Sequence, residues 1–186
     1  MPLQGAGPRA GSGVSVHTGL DADDAVEQLY AAHWRQLVRL SVLLVRDTGT
    51  AEEIVQDAFV AMHGRWSRLR DPEKALAYLR QAVVNRSRSA LRHRKVVDRH
   101  VLREGGLATL HAPDAEAATL EAARRDAVLD AMRRLPQRQR EVLALRYYLE
   151  LSEAEIASTL GISTGAVKSH ASRGAAALRT HLEDLR

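Results

Sequence analysis

From Asp24 onward, apolar residues recur at spacings of three and four, and almost nowhere do they alternate with polar ones. That rhythm matches the 3.6-residue turn of an α-helix and leaves no half-buried strands, so the sequence predicts an all-α protein. Val26, Leu29, Tyr30, Trp34, Leu37, Ser41 and Leu44 make the first stripe, on a helix of roughly five turns ended by residues 47–49. Thr50-Ala51-Glu52-Glu53 has the form of a capping box and predicts a second helix, running to about Trp66. Asp71 followed by Pro72 is a third start signal, an N-cap with proline at the first helical position, for a helix continuing toward Arg94.

Charge divides the chain in two. Residues 78–103 carry eight Lys or Arg against Asp98 alone, and residues 124–146 carry seven Arg against three acids. Between them, residues 104–121 hold Glu104, Asp114, Glu116 and Glu121 with no Lys or Arg, and Gly105, Gly106 and Pro113 to break structure. The expected organisation is two small helical domains, 21–95 with three or four helices and 119–186 ending in a helix-turn-helix. A flexible acidic linker, 96–118, joins them. Residues 1–20 contain 5 of the 12 glycines and two prolines without apolar period, which predicts a disordered tail.

The second block has the clearer grammar. A helix through Val128, Ala131, Met132 and Leu135 stops at Pro136, and another runs through Val142, Leu143 and Tyr147. Ser152-Glu153-Ala154-Glu155 is a second capping box, opening a short helix with Ile156, Ala157 and Leu160 inward. Gly161 suits its left-handed end, and Ser163 caps a last helix with Val167, Ala171, Ala175 and Leu178 inward. Two short helices about a Gly-Ile-Ser turn have helix-turn-helix spacing.

Three outward faces carry chemistry. Thr164, Lys168, Ser169, Ser172 and Arg173 fall between the core positions of the last helix and form a short, polar, cationic strip suited to a major groove. Arg146, Thr164 and the amides near Ser163 suit phosphates. On the third helix, Leu76, Leu79, Val83, Ser87 and Ala90 lie opposite Tyr78, Gln81, Asn85, Arg88 and Arg92. Aromatics stack on bases, amides read their edges and guanidinium groups hold phosphates, although periodicity alone slightly favours an ordinary solvated face with a Tyr near its margin. Glu53, Gln56, Asp57 and Val60 share a face opposite Ile54, Ala58 and Met62, which suits either protein docking or plain solvation.

Other chemistry lacks residues. With no cysteine, thiol nucleophiles, disulfides and Cys-ligated zinc are excluded. The eight histidines never fall in a ligand spacing, and no nucleophile elbow, phosphate-cradling loop or dinucleotide fingerprint occurs, so neither catalysis nor a cofactor or metal is expected. The longest apolar stretch, Leu37 to Val45, is interrupted by Arg39 and Ser41, which predicts a cytoplasmic chain without membrane insertion. A net charge of +4 with 24 Arg and 3 Lys favours an anionic partner only modestly, since the bias also fits a GC-rich genome.

Four segments in order resemble bacterial RNA polymerase sigma factors, most closely the extracytoplasmic-function (ECF) group: Ala51-Glu52-Glu53-Ile54-Val55-Gln56-Asp57-Ala58-Phe59, Tyr78-Leu79-Arg80-Gln81-Ala82-Val83-Val84-Asn85, Leu135-Pro136-Gln137-Arg138-Gln139-Arg140, and Gly161-Ile162-Ser163-Thr164-Gly165-Ala166-Val167-Lys168-Ser169. The likeness spans residues 24–182. It implies that Glu53, Gln56 and Asp57 dock on the clamp coiled coil of core RNA polymerase, with the flap as a further contact. It implies that Tyr78, Gln81, Asn85, Arg88 and Arg92, with the loop 67–74, capture unpaired bases of the minus-ten element. Arg146, Thr164, Lys168, Ser169, Ser172 and Arg173 would bind the minus-thirty-five element as duplex, and the acidic linker would thread the polymerase channels. Such factors are usually held by an anti-sigma factor. Departures are Tyr78 and His170, where the family often has Trp and Arg, and Gly174 for a usual Ala, which should cost about 1 kcal/mol of helix propensity. The competing reading is a self-sufficient helix-turn-helix regulator, and an enzyme with a DNA-binding tail has no residues to support it.

Overall fold

The computed structural model describes residues 22–69, 71–103 and 120–184, and among them every regular element is helical. Helix α1 (Ala22–Val45), α2 (Thr48–His63) and α3 (Ala75–Arg103) form the first half, with single 3-10 turns at Trp66–Arg68 and Pro72–Lys74 between α2 and α3. Helix α4 (Leu120–Arg134), α5 (Gln137–Leu143), a π turn at Ala144–Tyr148, α6 (Glu153–Leu160) and α7 (Thr164–Glu183) form the second. The expected tail, residues 1–20, and most of the expected linker lie outside the described residues.

In the first half the apolar stripes face one another. Leu37, Leu40 and Leu44 of α1 are buried with Ile54, Val55, Ala58 and Phe59 of α2 and Leu79, Val83 and Val84 of α3. Ser41 and Ser87, polar residues inside these stripes, satisfy each other through a buried 3.2 Å hydroxyl pair. Tyr30, Trp34 and Phe59 close one end, with the rings of Tyr30 and Trp34 stacked at 4.7 Å and Phe59 edge-on to Tyr30 at 5.2 Å.

Element starts differ from expectation at two places. The N-cap of α2 is Asp47, whose carboxylate accepts from the Thr50 amide at 2.7 Å, so Thr50 lies inside the helix rather than capping it. The preceding Arg46 takes the left-handed conformation (φ 57°), which turns the chain sharply enough for Asp47 to reach that amide. Asp71 accepts no cap hydrogen bond from the backbone. Its carboxylate pairs with Lys74 at 2.8 Å, and a 3-10 turn precedes α3. That pairing holds the Asp71 carboxyl below its ordinary range and Lys74 above its own.

At its other end α3 runs to Arg103, past residue 95, so residues 96–103 continue the helix. In the second half Pro136 precedes α5 as expected, yet the helix through Val142 and Leu143 widens into the π turn instead of continuing. The wider turn leaves Tyr147 on the surface, 65% exposed.

The halves touch. Helix α3 packs on α6, and α1 packs on α4 and the π turn, so the buried residues of both halves join in one cluster. Polar contacts cross the seam at Arg88 and Glu141, at Arg46 and Asp130, and from the Tyr148 hydroxyl to the Gln36 carbonyl at 3.3 Å.

Candidate nucleic-acid interface

Between the end of α2 and the exposed side of α3 lies an open groove of about 750 Å³. Tyr78, Gln81 and Asn85 stand on one wall, a turn apart on α3 because spacings of three and four stack side chains on one helical face. Ala58, Ala61, Met62 and Ala82 give it an apolar floor, and Arg65, Arg68 and Arg86 line it as cations with no carboxylate among the lining side chains. Arg86 also donates to the Asp57 carbonyl at 3.1 Å, which ties α3 to the α2 backbone at the groove. An apolar floor, a half-exposed aromatic and two amides ringed by guanidinium groups can hold a flat heterocycle attached to a phosphate chain.

The structure does not gather all five α3 residues there. Arg92 is exposed one turn beyond and donates to the Ser89 hydroxyl at 3.0 Å. Arg88 turns away toward the second half, where its Nε and Nη2 donate to the two Glu141 carboxylate oxygens at 2.7 and 2.8 Å. Its remaining Nη1 reaches back to the Asn85 side-chain oxygen at 3.0 Å. Conversely, Arg65 and Arg86 escaped the sequence reading, and Arg68 entered it only as part of the loop 67–74. They follow or face the C-terminal turn of α2, and only the packing of α2 on α3 brings them to one groove. Of the loop 67–74, Arg68 and Leu69 line the groove, and Arg70 lies outside the described residues.

The second candidate surface is α7. Ser152 and Glu155 form the expected reciprocal box at the start of α6: the Ser152 amide donates to the Glu155 carboxylate at 2.9 Å, and the Glu155 amide donates to the Ser152 hydroxyl at 3.3 Å. The Ser152 hydroxyl, which also donates to the Glu155 carboxylate at 2.7 Å, and then the Ser152 amide hold that carboxyl below its ordinary range. Gly161 ends α6 with φ 65° and ψ 42°, and the Ser163 hydroxyl accepts from the Ala166 amide at 3.1 Å to open α7. Val167 and Ala171 are buried while Thr164, Lys168, Ser169, Ser172 and Arg173 are exposed along the opposite side. Arg173 is steadied by Ser169, donating to its hydroxyl at 3.0 Å and its carbonyl at 3.3 Å. Glu153 stands between two expected cations, 3.4 Å from Arg146 and 3.6 Å from Lys168. The carboxylate therefore brings both to one edge of the helix pair, where they can be exchanged onto an anionic strand.

Two further surfaces stand outside these two. Glu53, Gln56 and Asp57 are exposed along α2 beside Val60, which is 66% exposed. Leu143, Tyr147, Ala175, Leu178 and Leu182, with Arg179 and Glu183 at the rim, line a largely apolar groove between the end of α5 and α7. Among the described residues no three His, Asp or Glu side chains gather as metal ligands, and no helix is long and apolar enough to cross a membrane.

Residues 29–96 match the family Sigma-70 region 2, and residues 125–178 match Sigma-70, region 4. The chain is 35% identical over 159 residues to the RNA polymerase sigma-E factor of Streptomyces antibioticus, covering 84% of each. It is 32% identical over 165 residues to the RNA polymerase sigma factor CarQ of Myxococcus xanthus, covering 88% of this chain and 92% of that one. With the ECF RNA polymerase sigma factor SigL of Mycobacterium tuberculosis it shares 32% identity over 162 residues, 84% and 88% of the two chains. Among solved structures, CnrH in complex with the cytosolic domain of CnrY superposes with a TM-score of 0.63 at 26% identity, covering 88% of this chain and 95% of that one. RpoE of Bartonella quintana, in complex with the anti-sigma factor NepR, shares the fold with a TM-score of 0.68 at 22% identity, over 86% and 98%.

Proposed function

The chain belongs to the ECF group of the sigma-70 family of RNA polymerase sigma factors, and from that premise we propose how its surfaces divide the work of initiation. As a sigma factor it joins core RNA polymerase and directs it to a two-element promoter. The first half, residues 21–95, acts as region 2: the Tyr78, Gln81 and Asn85 wall takes bases of the minus-ten element as they leave the duplex, while Arg65, Arg68 and Arg86 hold the strand's phosphates. Arg92 extends that contact along α3, and Arg88 joins it once released from Glu141. The second half, residues 119–186, acts as region 4, with Lys168, Ser169, Ser172 and Arg173 toward base edges of the minus-thirty-five element and Arg146 and Thr164 toward its phosphates. Residues 96–118 join the two, although α3 extends through the first part of that span.

Glu53, Gln56 and Asp57 dock on the polymerase clamp, and the apolar groove of Tyr147 and Leu178 fits the flap. The chain does no bond chemistry of its own. Like RpoE, solved with the anti-sigma factor NepR, it is subject to capture by an anti-sigma factor. It works in the cytoplasm, where the polymerase and promoter are.

The observation that carries this reading is the groove itself: cations and base-sized apolar floor on one half, joined to a capped helix-turn-helix on the other. The test is run-off transcription from genomic promoter fragments with purified core polymerase, with and without the chain. Transcripts that depend on the chain are expected. A chain that yields none, yet binds a palindromic duplex tightly as a dimer, would be a self-sufficient regulator.

A further inference from the structure

Helix α4 leaves the first turn of its apolar stripe uncovered. Ala131, Met132 and Leu135 are buried, but Val128 of the same stripe is 41% exposed and its neighbour Leu129 only half-buried. Both line an open groove of about 690 Å³ between α1 and α4, together with Val42, Leu43 and Tyr148. That volume is of the size that takes small molecules. The Tyr148 hydroxyl is spent on the Gln36 carbonyl at 3.3 Å, so the groove gains the ring more than a free donor.

Helix order sets where the charge lies. One turn before the apolar pair on α1 stands Arg39, and one turn before the pair on α4 stand Arg124 and Arg125. All three line the groove, and no acidic side chain among the described residues does. Just past the apolar pairs, the two helices are joined by the ion pair of Arg46 and Asp130. One end of the groove is thus closed by neutralised charge, while the other gathers guanidinium groups. A cleft lined by one sign of charge concentrates counter-ions. Guanidinium forks match a carboxylate, and the apolar walls behind them favour a hydrocarbon body.

We propose that this groove binds a single-chain amphiphile with an anionic head, of the fatty-carboxylate class, its chain against Val42, Leu43, Val128 and Leu129 and its carboxylate on Arg39 and Arg124. The site adds to the sigma assignment and does not rest on it.

The test is titration of the full-length chain with the fluorescent acid ω-dansylaminoundecanoate, followed by displacement with dodecanoate, decanoate and octanoate below their micelle concentrations. Saturable binding of one probe per chain is expected. Each two-carbon shortening should weaken competition by about four- to fifteenfold, because each methylene leaving the apolar wall loses up to about fourfold. Dodecanol, with the same chain and no charge, should compete about tenfold less well than dodecanoate. The double variant R39Q/R124Q and the single variant V128D should each weaken dodecanoate about tenfold or more, the first by removing the head's partners and the second by placing a carboxylate on the wall. R94Q, an equal loss of charge at an exposed position on α3, should bind as the wild type does. Circular dichroism checks folding, and R39Q/R124Q carries the test if V128D unfolds. Competition that is the same for octanoate and dodecanoate would mean adsorption by charge alone and overturn the proposal. So would full affinity in R39Q/R124Q, or binding to phosphatidylglycerol vesicles with none to the monomeric acids, which would make the surface a membrane contact. Each of these failures leaves the sigma assignment, tested by transcription, standing.

Discussion

At the scale of single residues, charge and exposure separate groups that read bases from groups that hold the backbone. The Lys168 side chain is 69% exposed and pairs loosely with Glu153, at 3.6 Å, so it is available to a base edge at little cost in lost contacts. Lys168→Ala should weaken use of promoters carrying the preferred minus-thirty-five sequence by about 1 to 3 kcal/mol and leave variant sequences little changed. Competition transcription between the two promoter sets measures this, and an even loss across both would reassign Lys168 to a phosphate. Asn85 is exposed on the groove wall and its side chain holds no core contact, so Asn85→Ala should leave the fold and duplex binding intact while slowing opening. Permanganate reactivity of minus-ten thymines should fall severalfold at equal occupancy. Both residues were legible as outward positions on a helical wheel. Arg88 was legible on the same outward face, but its pairing was not, because a wheel position gives no sign of a carboxylate 53 residues away.

For whole elements, local grammar and packing disagree most usefully at Gly174. Helix propensity alone says that Gly174→Ala should stabilise α7 by about 1 kcal/mol. In the structure a Cβ there would lie 3.1 Å from the Gln139 Cβ and 3.2 Å from Cγ and Cδ1 of Leu143, so the glycine lets α5 approach α7 closely. Gln139 Cβ and Leu143 Cγ are stem atoms of a neighbouring helix, which cannot swing aside as a chain end could. Overpacking of this kind costs about 1 to 3 kcal/mol, so Gly174→Ala should lower stability by about 1 kcal/mol in urea unfolding. The second capping box and the Gly161 turn were legible because each is complete within a few residues. The start of α2 was misplaced for a related reason: Thr50 and Asp47 are both capping residues, and the left-handed turn at Arg46 selects between them.

Across the whole molecule, contact between the halves occupies Arg88 and leaves the acidic face of α2 uncovered. Glu53, Gln56 and Asp57 are exposed with the halves in contact, so the proposed docking face is open to a partner. Asp57→Lys should lower core binding about tenfold or more, with the largest effect at low salt. Its backbone carbonyl, which accepts from Arg86, is unchanged by the substitution, so the groove should persist. A pull-down with core polymerase at two salt concentrations measures this, and unaltered capture would remove the docking face from α2.

The sequence by itself determined the helical class, the division into two basic blocks, the helix-turn-helix and the outward faces of α3 and α7, because each follows from spacings and caps that close within a turn or two. Tertiary structure decided which of those outward residues are free to act. Arg88 is withdrawn onto Glu141, and Arg65, Arg68 and Arg86 are gathered at the groove. A side chain's partner depends on which helices meet across the fold, and helical periodicity carries no record of that meeting.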